Sequence, residues 1–135
     1  MKRWMILLLA LALLVTFTLP AGAKMILVGR NSDGAFFVID RVFKKVGDCS
    51  VVATLFLFTG LKKTSYGMVK AIARVAKVCC QAQTYQMMAY RYLGADRKPL
   101  HSRTISPSRV KVVKAKPGTM GYNLVQKVCA PGFVK

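Results

Sequence analysis

Two stretches, Cys80-Gln81-Ala82-Gln83-Thr84-Tyr85 and Lys116-Pro117-Gly118-Thr119 with the run down to Cys129, decide how this chain is read. Thr84 to Leu93 alternates in character, which predicts a strand. Tyr85, Met87, Ala89 and Arg91 fall on one face of it, and Thr84, Gln86, Met88, Tyr90 and Tyr92 on the other. Thr119 suits an N-cap, and Leu124, Val125, Val128 and Cys129 recur at helical spacing. Ala130-Pro131-Gly132 then stops the helix. A strand cysteine and a terminal-helix cysteine in an exported chain suggest a helix fastened across a sheet.

Export is read from the other end of the chain. Lys2 and Arg3 precede a nearly unbroken apolar run from Trp4 to Leu19, Pro20 ends it, and Ala21-Gly22-Ala23 supplies small residues for signal peptidase. The run is shorter than the roughly 20 apolar residues of a spanning helix. No cysteine follows it, so a lipoprotein anchor is not expected. The expected organisation is a cleavable signal peptide over 1–23 and one small domain over 24–135.

The cysteines agree with an oxidising compartment. Cys49, Cys79, Cys80 and Cys129 allow several pairings. Cys79 and Cys80 are neighbours, so on a strand they point to opposite faces and need different partners. Zinc is the competing reading, but there is no Cys-x-x-Cys pair and His101 is the sole histidine. No metal and no cofactor are expected.

Charge is the second unusual property. The 135 residues hold 22 Lys and Arg against 4 acidic residues, a formal net charge of +18. The acids are Asp33, Asp40, Asp48 and Asp96, with no glutamate. Such an excess costs self-repulsion and attracts polyanions.

Between these landmarks, Lys24 to Arg30 and Ala35 to Asp40 read as a hairpin around the Asn31-Ser32-Asp33-Gly34 turn. Lys44 to Asp48 is a polar break, and Cys49 to Phe58 is a β-branched and aromatic strand. Gly60 to Gly67 reads as a loop bounded by glycines. Met68 to Cys80 fits either element: Val69, Ile72, Ala73 and Ala76 are spaced as on a helix, while Val75, Val78 and the paired cysteines suit a strand. Strand is preferred for its C-terminal half. Gly94 to Pro99 is a polar loop, His101 to Ser108 a Ser/Thr/Pro surface connection, and Arg109 to Lys114 a basic edge-type strand. The expected fold is α+β: an antiparallel sheet of about five or six strands with a C-terminal helix on it.

In this arrangement the chain resembles the surface-adhesin protein E family of exported bacterial domains. The residues that carry the likeness are Phe36-Phe37-Val38-Ile39-Asp40 with the Val51–Phe58 strand, Cys80 with Thr84-Tyr85-Gln86, and Pro117-Gly118-Thr119 leading to Val128-Cys129. The resemblance implies a sheet-to-helix disulfide, here Cys80–Cys129, and a role in adhesion. Two departures stand out. Val112 and Val113 occupy positions where the family often has a tryptophan, and Cys49 and Cys79 are additional to its pattern. A second bridge, Cys49–Cys79, becomes geometrically feasible if the Val51 strand lies beside the one ending at Cys80.

Catalytic residues are not expected. Without glutamate a paired-carboxylate site is hard to build, and His101 beside Ser102 in a loop is no triad. Adjacent cysteines lack the Cys-x-x-Cys redox form. Binding is better supported. Lys62, Lys63, Arg97, Lys98, Arg103, Arg109, Lys111, Lys114 and Lys116 concentrate in loops and the late strand, near Tyr85, Tyr90 and Tyr92. Ordinary packing is the bland role for the tyrosines. Basic groups interleaved with aromatics hold acidic polymers, and export favours acidic protein, polysaccharide or anionic lipid headgroups over nucleic acid. The expectation is a non-enzymatic binding module of the periplasm or cell surface, and a homodimer is compatible with it. The alternative is an accessory envelope protein kept near anionic lipid without a specific ligand.

Overall fold

The computed structural model describes residues 24–106 and 108–133. The segment read as a signal peptide, 1–23, lies outside the described residues, as does Pro107 in the expected surface connection. In chain order come β1 (Met25–Arg30), β2 (Gly34–Ile39), β3 (Lys44–Val46), β4 (Cys49–Thr64), β5 (Gly67–Cys79), β6 (Thr84–Leu93), β7 (Pro99–Thr104), β8 (Val113–Lys114) and the helix α1 (Met120–Cys129). All strands join one antiparallel sheet ordered β1-β2-β4-β5-β6-β7, with β3 paired to β4 and β8 to β6. The α+β class therefore holds. Six strands form the continuous path, and two short strands extend it.

The first hairpin forms where Asn31-Ser32-Asp33-Gly34 predicted it. The Asn31 side-chain oxygen accepts from the Asp33 and Gly34 backbone N–H groups at 2.9 and 3.1 Å, a side-chain mimic of a turn. Gly34 is required by close approach, because a Cβ there would lie 2.1 Å from the Leu57 carbonyl oxygen.

The segment from Gly60 to Gly67 is not a loop. β4 continues to Thr64 and re-pairs with β5 at Lys62–Val69, Lys63–Met68 and Thr64–Gly67. The residues between Leu57 and Lys62 make a bulge, and the Lys70 ammonium donates to its Phe58 and Thr59 carbonyls at 2.9 and 3.3 Å. Gly60 thus falls in the bulge. Gly67, at φ 118°, closes the tight turn at Ser65-Tyr66, where Thr64 Oγ1 accepts from the Tyr66 N–H. Two glycines that looked like loop boundaries mark a bulge and a turn.

β5 is strand over its whole length, not only its second half. Its flanks decide this: it pairs in register with β4 on one side and β6 on the other. Val69, Ile72, Ala73 and Ala76 do not share a face. Ala73 packs with Val51, Leu55, Ala71, Val75, Ala89 and Leu93 on one side, while Ala76 packs with Val52, Val78 and the helix on the other. A strand apolar on both faces imitates helical spacing, because its charged residues stand on both faces, Arg74 on one and Lys77 on the other, and mark no alternation.

The expected connection from His101 to Ser108 is strand in its first part, which β7 takes. Tyr92–His101 and Tyr90–Arg103 pair across β6 and β7. Pro99 opens the strand, a position where its missing N–H is tolerated. Of the edge strand expected over Arg109 to Lys114, only Val113 and Lys114 pair, opposite Tyr85 and Thr84. The polar break at Lys44 holds the three-residue β3, turned back through Gly47 at φ 59°.

α1 begins and ends as its residues dictate. Thr119 Oγ1 accepts from the Tyr122 N–H at 3.2 Å, and the Ala130 N–H returns to the Lys127 carbonyl. Leu124, Val125 and Val128 are buried against Val28, Phe36, Val38, Val52, Ala76 and Val78. Cys80–Cys129 pins the end of the helix to the sheet with Cα atoms 5.7 Å apart, and Cys49–Cys79 bridges the directly opposed pair of β4 and β5 at 4.0 Å.

Candidate functional site

Helix α1 covers only part of its sheet face. From Cys129 at the disulfide end it runs back over Val78, Ala76 and Val52, and its N-terminal residues Met120 and Gly121 face Phe56, Ile72 and Arg74. Residues directly opposed across antiparallel strands share a face, so the register sorts the side chains into rows. One cross-sheet row reads Phe36, Phe56, Ile72, Tyr92, His101. The next reads Val38, Thr54, Arg74, Tyr90, Arg103. An aromatic row and a row holding Arg74 and Arg103 thus run side by side from the core beneath α1 out to β7.

A bulge creates this juxtaposition. The β5–β6 register shifts between Val75 and Ala76, leaving Val75 opposite Ala89 and Ala76 opposite Met87, so Met88 is the extra residue. Strict alternation along β6 separates Tyr85 and Met87 from Tyr90 and Tyr92. The extra residue reverses the alternation and brings all four to the helix face. Ala89, Arg91 and Leu93 go to the other side, where Arg91 is buried at 7% exposure and donates from Nε to Ser102 Oγ at 2.7 Å.

At the far end of the rows the rings form a cluster. Tyr66 and His101 stack with centroids 3.8 Å apart and planes 3° from parallel, and Tyr92 lies 5.6 Å from Tyr66 and 5.3 Å from Tyr90. His101 is therefore a packed strand residue, half-buried against three tyrosines, and not part of the surface connection expected. Tyr66 itself stays 45% exposed.

Arg74 is the distinctive charge of the face. Burial lowers its pKa from the ordinary guanidinium value, with Tyr92 and Tyr85 acting in the opposite direction. Its cross-strand neighbours are Thr54 and Tyr90, neither of which is an acid. Asp33, Asp40, Asp48 and Asp96 all stand at turns or strand ends. The ion pair between Lys98 and Asp96, at 3.9 Å, is on the surface of the β6–β7 turn.

The nine basic residues singled out from the sequence are all exposed, and all but Arg103 lie in two groups. Lys62, Lys63, Arg97 and Lys98 are at the end of the sheet holding the β4–β5 and β6–β7 turns. Lys114 and Lys116 are at the disulfide end, and Arg109 and Lys111 lie on the segment leading to them. β5 alone, with 13 residues, is about 40 Å long. Arg103 stands between the groups, on the row it shares with Arg74. Arg74 and Tyr66 were not foreseen. Arg74 hid in a segment whose spacing also fitted a helix, and Tyr66 in a supposed loop. Among the described residues no group of three His, Cys, Asp or Glu is placed to hold a metal ion, and no helix is long and apolar enough to cross a membrane.

No family model matches this chain, and no curated protein sequence matches it. Among solved structures it is similar to the crystal structure of protein E from non-typeable Haemophilus influenzae, with a TM-score of 0.53 and 9% identity over 83% of this chain and 78% of that one. A second structure of Haemophilus influenzae protein E gives 0.54 and 11% identity, covering 83% and 86%. The chain has a protein E-like fold, and at these identities the likeness is one of fold.

Proposed function

We propose that this protein, built on a protein E-like fold, is an exported, non-enzymatic binding module that engages acidic macromolecules outside the cytoplasm. The observation that carries this is the row Arg74, Tyr90, Arg103 lying beside Tyr92 and His101, running from the N-terminal end of α1 out over β6 and β7. Cations set among rings meet a negatively charged polymer with charge and contact area together, and the directly opposed neighbours of Arg74, Thr54 and Tyr90, offer no competing carboxylate. The two disulfides fit life in an oxidising compartment, and the apolar leader over 1–23 fits export. Periplasmic retention and surface display are both consistent with this reading, and the adhesive role rests on the family resemblance.

The test is retention of the disulfide-bonded protein on three probes: alginate, poly-glutamate and anionic lipid vesicles, each titrated with salt. A saturable interaction with one class that weakens in the Arg103→Gln variant supports the proposal. Equal, unsaturable binding to all three, unchanged in that variant, favours an accessory envelope protein held by charge alone.

A further inference from the structure

A groove of about 310 Å3 opens beside the first turns of α1. Phe36, Phe56, Phe58 and Ile72 form its sheet wall, Met120 and Leu124 its helix wall, and Arg74 is the charged side chain lining it. The wall is a packed one. Phe36 and Phe56 have centroids 6.5 Å apart, and Phe58 meets Phe56 edge-on at 5.0 Å. At the other margin the Tyr85 ring lies against Gly121, so closely that a Cβ there would be 2.3 Å from the ring. Directly opposite Arg74 in the β4–β5 ladder is Thr54, whose buried hydroxyl has no hydrogen-bond partner among the described residues.

Apolar walls with one cation select a ligand that carries a compact apolar group next to an anion. The guanidinium fork matches a carboxylate in two-pronged fashion, and the attraction is stronger where water is partly excluded. The volume lies at the small end of the roughly 300–1,000 Å3 range of ligand pockets. That suits one large side chain and not a long acyl chain, while an acidic polysaccharide has no apolar group to offer. Arg103 continues the positive charge along the same row beyond the groove, so further carboxylates on one chain would be met. The geometry points to this groove as the anchor site of an acidic polypeptide partner. One side chain of phenylalanine or leucine size enters between the phenylalanine wall and α1, and an adjacent carboxylate pairs with Arg74.

This inference rests on the binding function proposed above, and the experiment separates the two. Three amidated, acetylated hexapeptides are titrated into the disulfide-bonded protein labelled at methionine methyl groups and followed by NMR. The first has one phenylalanine among aspartates, the second alanine in place of that phenylalanine, and the third asparagines in place of the aspartates. The expected result is at least about tenfold tighter binding of the first peptide, with the Met87 and Met120 methyl signals shifting, and loss of the aspartate preference in Arg74→Met. The methyl shifts of the unmodified protein decide the question even where that variant folds poorly. Equal affinity for the phenylalanine and alanine peptides, or unmoved methyl signals, overturns the groove assignment while leaving polyanion binding intact. No binding to any peptide, with no retention on alginate, poly-glutamate or vesicles, overturns both.

Discussion

Gly121 and Tyr85 are in direct contact: a Cβ at Gly121 would stand 2.3 Å from Tyr85 Cε1 and 2.5 Å from its hydroxyl oxygen. The helix can come this near the sheet only because position 121 has no side chain. Gly121→Ala sets two effects against each other. Alanine gains about 1 kcal/mol of helix propensity, but overpacking typically costs about 1–3 kcal/mol. The steric term should win, lowering the midpoint of urea unfolding and moving the Tyr85 ring signals. A midpoint that rises would show that the ring swings away freely.

The two disulfides differ in what they hold. Cys80–Cys129 closes a sequence separation of 49 and fastens α1, whereas Cys49–Cys79 closes 30 and joins strands already paired. Replacing Cys80 and Cys129 by alanine should cost about 2–5 kcal/mol. Replacing Cys49 and Cys79 should cost less, because the β4–β5 ladder persists without the bridge. Denaturant titration of both double variants measures the order, and a larger loss for the Cys49–Cys79 pair would contradict it.

Leu124 has no exposed surface and packs in the cluster beneath α1, while Gln126 on the same helix is exposed. Leu124→Ala should therefore lose about 2–5 kcal/mol, and Gln126→Ala, which gives up only the exposed hydrogen bond from Gln126 Nε2 to Gln83 Oε1, should lose about 0.5–1.5 kcal/mol. Thermal or urea unfolding provides the comparison. Similar losses at both positions would mean that α1 is not held by its apolar face.

Charge should matter by position as well as by number. Arg103 lies on the row with Arg74 and Tyr90, and Lys116 lies at the disulfide end before α1. Arg103→Gln is expected to weaken binding to an acidic polymer about three- to tenfold at low salt, with the difference shrinking as salt screens the charges. Lys116→Gln removes the same charge and should change affinity by less than about twofold. Equal effects would show that net charge, and not the row, governs attraction.

Legibility in the sequence varies along the chain. The first hairpin, β6, the Thr119 cap and the buried side of α1 come from local chemistry: a turn-forming Asn and Gly, alternating polarity, a capping hydroxyl, helical spacing. β5 and β7 are less legible. Ala71, Ala73, Ala76 and Val78 are apolar on both sides of the strand, and His101, Ser102 and Arg103 are polar, so neither segment carries a clean period. Pairing with β6 decides both.

The composition and motifs of the chain determined its class and its terminal helix, because each rests on patterns or caps among few residues. Where the proposed binding face lies was decided only by the tertiary structure. The Met88 bulge moves Tyr90 and Tyr92 to the side of Arg74, and the β4 bulge lets β4 and β5 re-pair toward the turn that holds Tyr66. An extra residue in a strand has no signature of its own in sequence, since it exists only relative to the neighbouring strand against which the count is made.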